Sequence, residues 1–331
     1  MKDRKKDHID LAFQAQTLPL SIDKRFDYEP MLAAHPVGGL PSVPFLGKHL
    51  KVPLWVSSMT GGTRMAKTVN RNLAQACNEF GMGMGLGSCR SLLDNDSNLI
   101  DFDQRKVIGD DLPLYANLGI CQVEQLLKNS QTEKISLLID KLRADGLIIH
   151  VNPMQEWFQN EGDLLQNPPI DTIKLLIDKV TFPLIVKEVG QGMGPASLRE
   201  LLQLPLAAIE FAAFGGTNFA KLELLRSEDN YKDLLEPLSV IGADAEQMVD
   251  FVNDLVMSKK QFECKQLIIS GGIHSFLDGY YLMKKSLMPA VYGQASMFLK
   301  YAMGDYKLLQ NYVTQQIKGL EMANAYLHIR Q

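Results

Sequence analysis

The chain has 331 residues, of which 46% are hydrophobic and 22% charged, with a formal net charge of −4. That length suits one large α/β domain or two ordinary ones, and the apolar fraction is enough for a substantial core. The slight acidity offers no basic face for a nucleic acid, and no apolar run reaches the roughly 18 residues of a membrane-spanning helix.

The N-terminal 50 residues precede any apolar run and read as an extension. Its opening, MKDRKKDHIDLAF, is charged but lacks a long apolar stretch behind the charges, so no secretory signal is expected. RKKDH (4–8) reads on composition as a solvated helix start; the functional alternative is that Arg4, Lys5 and His8 fold over a site and hold a diphosphate. From there on, short apolar runs alternate with amphipathic segments. The runs are VPLWVSS (52–58), MGMGLGS (82–88), PLYANLG (113–119), GLIIHVN (146–152), FPLIVKE (182–188), LAAIEFA (206–212), QLIISGG (266–272) and AVYGQA (290–295). Helical patterns lie between them, as at 64–80, 132–144 and 243–260, and a long helix is predicted after Asp305. Eight buried strands mostly separated by helices are the pattern of a (β/α)8 TIM barrel, here a single domain over 51–331 with an N-terminal extension. The glycine-rich second run is the weakest strand, because glycine is poor in strands. The four cysteines, Cys77, Cys89, Cys121 and Cys264, have no CxxC spacing and suit reduced thiols in a cytoplasmic protein.

Nearly every run ends in a polar residue or glycine: Ser57 and Ser58, Ser88, Asn117, His150 and Asn152, Lys187, Ser270 with Gly271, and Gly293. In a barrel these ends share one face, where sites are built. Glycine clusters after the last two runs, SGGI (270–273) and YGQA (292–295), suit a phosphate held by backbone N–H groups. SSMTGGT (57–63) would let a flat ring lie against backbone. Lys187 ends the fifth run pointing into the mouth, where a cation could bond the pyrimidine edge of a flavin and favour its anionic reduced form; the alternative is a pair with Glu188 or Glu210. After the fourth run, HVNPMQEWFQNEGD (150–163) offers Glu156, Glu161 and Asp163 as oxygen ligands for Mg²⁺, which usually takes one or two carboxylates. Trp157 and Phe158 read as packing residues. The long connection 215–237 reads as a functional loop.

Taken in order, RKKDH, SSMTGG, GLGSCR, ANLG, HVNPMQE…EGD, IVKEVGQGM, GGTNF, SGGI and YGQA resemble the type 2 isopentenyl-diphosphate isomerases, from about Arg4 to Leu299. The resemblance implies an FMN enzyme, Mg²⁺-dependent, that interconverts isopentenyl and dimethylallyl diphosphate by adding and removing protons, with NADPH needed only to reduce the flavin. It implies FMN contacts at Ser58, Met59, Thr60, Ser88, Asn117, Lys187, Thr217, Gly272, Ile273, His274, Gly293, Gln294 and Ala295. It implies that Arg4, Lys5, Ser88, Cys89, Arg90 and Gln155 hold the substrate, with Gln155 orienting or relaying in catalysis and Glu156 ligating Mg²⁺. It further implies that the extension closes over the barrel mouth, and that the chain forms a homo-oligomer, typically a tetramer.

The chain departs from the family pattern at His274, where arginine is common, at Ala212, near which a serine is common, and at Asn160 and Leu164. An FMN-dependent 2-hydroxy-acid oxidase or dehydrogenase would share the barrel and phosphate turns, but it needs a histidine base and arginines for a carboxylate. A barrel retained only as a scaffold would not need Gln155, Glu156 and Lys187.

Overall fold

The computed structural model describes residues 4–58, 65–227, 232–258 and 261–330. Eight parallel strands close into a barrel, each paired with the next in sequence and the last with the first. They are β1 (Leu54–Val56), β2 (Gly83–Gly85), β3 (Leu114–Gly119), β4 (Gly146–His150), β5 (Leu184–Lys187), β6 (Ala208–Glu210), β7 (Leu267–Ser270) and β8 (Ala290–Gln294). Each falls inside one of the eight apolar runs. The strands are buried on both faces, so they read as continuous apolar runs instead of alternating ones.

Packing explains the glycines of β2. A Cβ on Gly83 would stand 2.4 Å from the Trp55 ring, and one on Gly85 would stand 2.5 Å from Ile148 and 2.7 Å from Ser58 Oγ. The fully buried Trp55 also meets Phe45 and Tyr115 edge-on. Glycine here gives up strand propensity for room at the barrel centre.

The helices start and stop where the sequence provides for it. Ala66–Phe80 buries Val69, Leu73, Ala76 and Cys77 at helical spacing and ends on left-handed Gly81. Ala245–Met257 and Phe276–Lys285 each begin with a capping box, Asp244 with Gln247 and Ser275 with Asp278. The long C-terminal helix, Tyr306–Tyr326, packs against the helix Phe276–Lys285, with Gly319 against the Phe276 ring. The strand after it, Leu327–Ile329, pairs antiparallel with Phe26–Tyr28 of the extension. No helix among the described residues is long and apolar enough to cross a membrane.

The extension differs from the expectation that all of residues 1–50 close over the mouth. Its hairpin, Val43–Phe45 with Lys48–Leu50, lies at the opposite end of the barrel. There Leu46 N donates to Gln266, Lys51 N donates to the Gly81 carbonyl, and Lys48 Nζ bonds Asp145 and the Leu112 carbonyl. These partners all precede strands, so the hairpin plugs the N-terminal ends of the barrel. Helix Arg4–Leu11 buries no residue.

Candidate active site

The C-terminal strand ends open into two adjoining clefts. The first is lined by Ser57, Ser58, Lys187, Glu210, Thr217, the loop Ser270–His274 and Gly293–Met297. The second is lined by Ser58, Gly87, Ser88, Asn117, His150, Gln155, Lys187, Val189 and Phe219. Ser58, Lys187, Val189 and Phe219 border both, so one side chain can address both clefts. A larger hollow lies at the other end, bordered by Thr181, Phe182, Pro205, Phe262 and Lys265 just before strands β5 to β7. In this architecture that end carries stability, not chemistry.

Three polar side chains sit side by side at the top of the barrel interior. His150 is the register partner of Lys187 across β4 and β5, and Lys187 is that of Glu210 across β5 and β6. Lys187 is buried, and its Nζ donates to the Glu188 carbonyl at 2.7 Å. Burial pulls this ammonium below the usual lysine range, opposed by the negative charges of Glu210 and Glu188. Burial, helped by the Lys187 charge, also pushes His150 down to about 3, so its imidazole is neutral at working pH. Asn117 fixes the tautomer. Its Nδ2 donates to the Leu86 carbonyl at 3.1 Å, which leaves Oδ1 to accept from His150 Nδ1 at 2.7 Å.

The KEVGQGM motif has a structural reason. Glu188 Oε2 accepts the N–H groups of Gly190, Gln191 and Gly192, so the loop after β5 folds around one buried carboxylate. Left-handed Gly190 then packs against the Thr217 carbonyl, which ties this loop to GGTNF.

Gln155 and Glu156 stand on a short helix, Pro153–Phe158, directly after β4. The buried Glu156 accepts from Asn152 Nδ2 at 2.9 Å and from Asp163 N at 2.9 Å. Gln155 Oε1 accepts from Asn152 Nδ2 at 3.2 Å, and its Nε2 donates to Glu223 at 3.2 Å. Glu223 is buried on helix Phe219–Arg226 and also binds Gln159 and Arg226. It holds the Gln155 amide in one orientation, a role that nothing at position 155 announces in the sequence. Phe158 packs with Ala220 and Leu224, whereas Trp157 is 66% exposed and does not pack as expected.

Several expected site residues lie elsewhere. Cys89 is fully buried, its thiol donates to the Gly87 carbonyl, and its N–H bonds the Asn117 carbonyl, so it turns away from any substrate. Burial pushes that thiol up to about 12. Glu161 pairs with Arg226, and Asp163 with the exposed Arg90, so Glu156, Glu161 and Asp163 form no common cage. Among the described residues no cluster of three His, Cys, Asp or Glu side chains is arranged to hold a metal. Arg4 and Lys5, on their exposed helix, line neither cleft. Met59 and Thr60 lie outside the described residues. Ser58, Ser88, Asn117, Gln155, Lys187, Thr217, Gly272, Ile273, His274, Gly293, Gln294 and Ala295 do line the clefts. The Gln294 side chain is locked, donating to the Ile273 carbonyl and accepting from Tyr312, so it braces the phosphate-type loop from behind.

The first cleft fits a flat phosphorylated cofactor. Ser57 Oγ and Ser58 Oγ are buried with no partner among the described residues. Gly293 keeps the floor low, since a Cβ there would stand 2.5 Å from Ser57 Oγ. Gly271 and Gly272 both have positive φ, turning the loop after β7 tightly at the cleft's edge.

A closed parallel barrel with a composite polar mouth defines a (β/α)8 barrel with a candidate site at its C-terminal face, and the comparisons with known proteins agree on the fold. The fold matches a flavocytochrome b2 variant with sulfite bound at a TM-score of 0.60 and 14% identity, covering 91% of this chain and 72% of that one. It matches a mandelate oxidase variant with a monooxide FMN adduct at 0.55 and 11% identity, covering 93% of this chain and 88% of that one. No family model matches. Among relatives, the isopentenyl-diphosphate delta-isomerase of Mycolicibacterium vanbaalenii is 33% identical over 283 residues, covering 84% of this chain and 79% of the relative. The isopentenyl-diphosphate delta-isomerase of Rickettsia felis is 31% identical, covering 97% of this chain and 91% of the relative. The chain therefore belongs to the isopentenyl-diphosphate delta-isomerase family, of the type 2 that its motifs resemble.

Proposed function

We propose that the protein interconverts isopentenyl and dimethylallyl diphosphate, using reduced FMN in the first cleft and substrate in the second. The observation that carries this reading is the Asn152–Gln155–Glu156–Glu223 cluster. It places an oriented amide and a buried carboxylate beside a mouth that also holds Lys187.

FMN would be held by Ser58, Lys187 and Thr217 along its ring, with the ring reaching toward Asn117 of the second cleft, and by the Gly272–His274 and Gly293–Ala295 turns at its phosphate. When bound and reduced it would supply an electron-rich face that stabilises a cation-like intermediate electrostatically. The chain's own groups do the rest. Gln155 sits where a proton must pass, with Glu223 fixing its amide, and His150 stays neutral and so puts no competing positive charge beside the reacting carbons. Glu156 fits the Mg²⁺ habit of taking one carboxylate and completing its shell with phosphate and water. Its two oxygens each accept one protein N–H and keep further lone pairs.

On this reading Arg4 and Lys5 reach the diphosphate when the extension closes. Residue 25 is anchored at Asp278, beside the phosphate turn, and the roughly 20 intervening residues are long enough to cross the mouth. A reductant such as NADPH primes the flavin. A homo-oligomer, taken as a tetramer, completes the proposal. Its support is the exposure of four large apolar side chains in the extension, Ile9, Phe13, Leu18 and Leu20. The test is flavin uptake by the purified protein followed by an isomerisation assay. A protein that takes up no FMN and converts no substrate would end the proposal.

Two further outcomes are expected. Lys187→Ala should lower the midpoint potential of bound flavin, because the lost cation favoured the reduced anionic form. A potential equal to that of the unaltered protein would remove Lys187 from the ring edge. His274→Arg should tighten FMN binding, because arginine brings a permanent charge and a planar fork of donors suited to a phosphate. The motivating observation is that His274 lines the phosphate end of the cleft while its N–H is taken by Asp278. Equal or weaker binding at pH 8 would show that the side chain points away from the phosphate.

A further inference from the structure

Glu210, in the sequence only one of two possible partners for Lys187, is fully buried at the end of β6, and the mechanism above does not use it. One carboxylate oxygen, Oε1, accepts from Ser270 Oγ at 3.2 Å. The same Ser270 Oγ accepts from Ala212 N at 3.0 Å, with Ala212 held at φ +42°, so the carboxylate is pinned from the β7 side. The other oxygen, Oε2, has no partner among the described residues. Burying such a group without compensation is costly.

We propose that Glu210 is the internal counter-ion of Lys187 and keeps that lysine charged in the dry mouth of the barrel, thereby fixing the charge that the cofactor ring meets. The last clause rests on the flavin reading; the pairing itself does not. Three observations carry it. Lys187 and Glu210 are register partners on neighbouring strands, which run about 4.8 Å apart with matched side chains on one face. Both border the first cleft. The other groups facing Lys187 serve less well. Glu188 bonds Lys187 only through its backbone carbonyl, and its carboxylate, whose Oε2 is held by the N–H groups of Gly190, Gln191 and Gly192, acts on the lysine less than Glu210 does. His150, on the β4 side, is neutral and bound to Asn117, and Ser270 carries no charge. Glu210 is thus a positioning residue that acts through Lys187.

The test reads the lysine directly. In full-length apoprotein carrying ¹³C-labelled lysine, the Lys187 resonance is identified by its loss in Lys187→Met. In the unaltered protein it is expected to stay in the charged form from about pH 6 to 9. In Glu210→Gln it should titrate inside that window, as uncompensated buried lysines do. Glu210→Asp, which retains the charge, should behave as the unaltered protein and guards against a Gln variant that fails to fold. A neutral Lys187 at pH 7 in the unaltered protein, or identical titrations with Glu and Gln at 210, overturns the pairing. In the FMN-loaded protein, Glu210→Gln should add an inflection to the plot of midpoint potential against pH, absent from the unaltered protein and from the Glu210→Gln/Lys187→Met double variant. A shifted NMR titration without that inflection overturns the cofactor half. Failure to load FMN at all sinks the flavin reading and leaves the NMR result standing.

Discussion

Replacing Glu156 by Gln is expected to cost at least about 100-fold in isomerisation rate, the scale of losing one preorganised electrostatic partner, while FMN stays bound. The carboxylate is buried and lies between Asn152 Nδ2 and Asp163 N. An amide in its place loses the negative charge that would hold Mg²⁺ against the diphosphate. It also turns an NH₂ toward one of those two donors. The loop is tied to the helix after β3 by Asp163, Gln166 and Asn167, which bond Cys121, Gln122 and Glu124, and Glu156 borders neither cleft, so flavin uptake should be spared. Activity of Glu156→Gln across a Mg²⁺ titration checks this. Full activity at low Mg²⁺ would exclude the metal role.

The second large effect belongs to Gln155. An amide has no useful acid of its own, so its value lies in where its two ends point. One end is fixed by Asn152 and the other by Glu223. Gln155→Ala should slow deuterium incorporation from deuterated water into the product methyl group by at least about tenfold, a modest share of what positioned proton-transfer groups contribute. Glu223→Gln should slow it less, since an amide at 223 can still bond Gln155 but also frees Arg226. Incorporation in Gln155→Ala equal to that of the unaltered protein would remove Gln155 from the proton path.

The fold was legible because burial on both faces turns each barrel strand into an apolar run, and because the polar residue at each run's end marks the face. Even the doubtful second strand sits in its run, since its glycines make room for Trp55 and Ile148. The positions of Gln155, Glu156 and Lys187, at or just after strand ends, were legible for the same reason. Glu223 was not, because it arrives from a helix 68 residues downstream of Gln155. Glu188 showed as a possible lysine partner, whereas its carboxylate folds the next loop. Cys89 was misplaced because side-chain direction within a tight turn has no period to read. The shared metal cage failed because Glu161 and Asp163, close to Glu156 in sequence, are drawn off by Arg226 and Arg90.

On the proposed function, a double bond moves with no net change of oxidation state, and the site would hold reduced flavin without consuming it. The measurement that meets this most directly is product formed against NADPH oxidised, under anaerobic conditions, with FMN-loaded protein and Mg²⁺. Many products per flavin are expected after a single reduction, and none with flavin kept oxidised. One NADPH consumed for every product formed would contradict the account and point instead to a dehydrogenase.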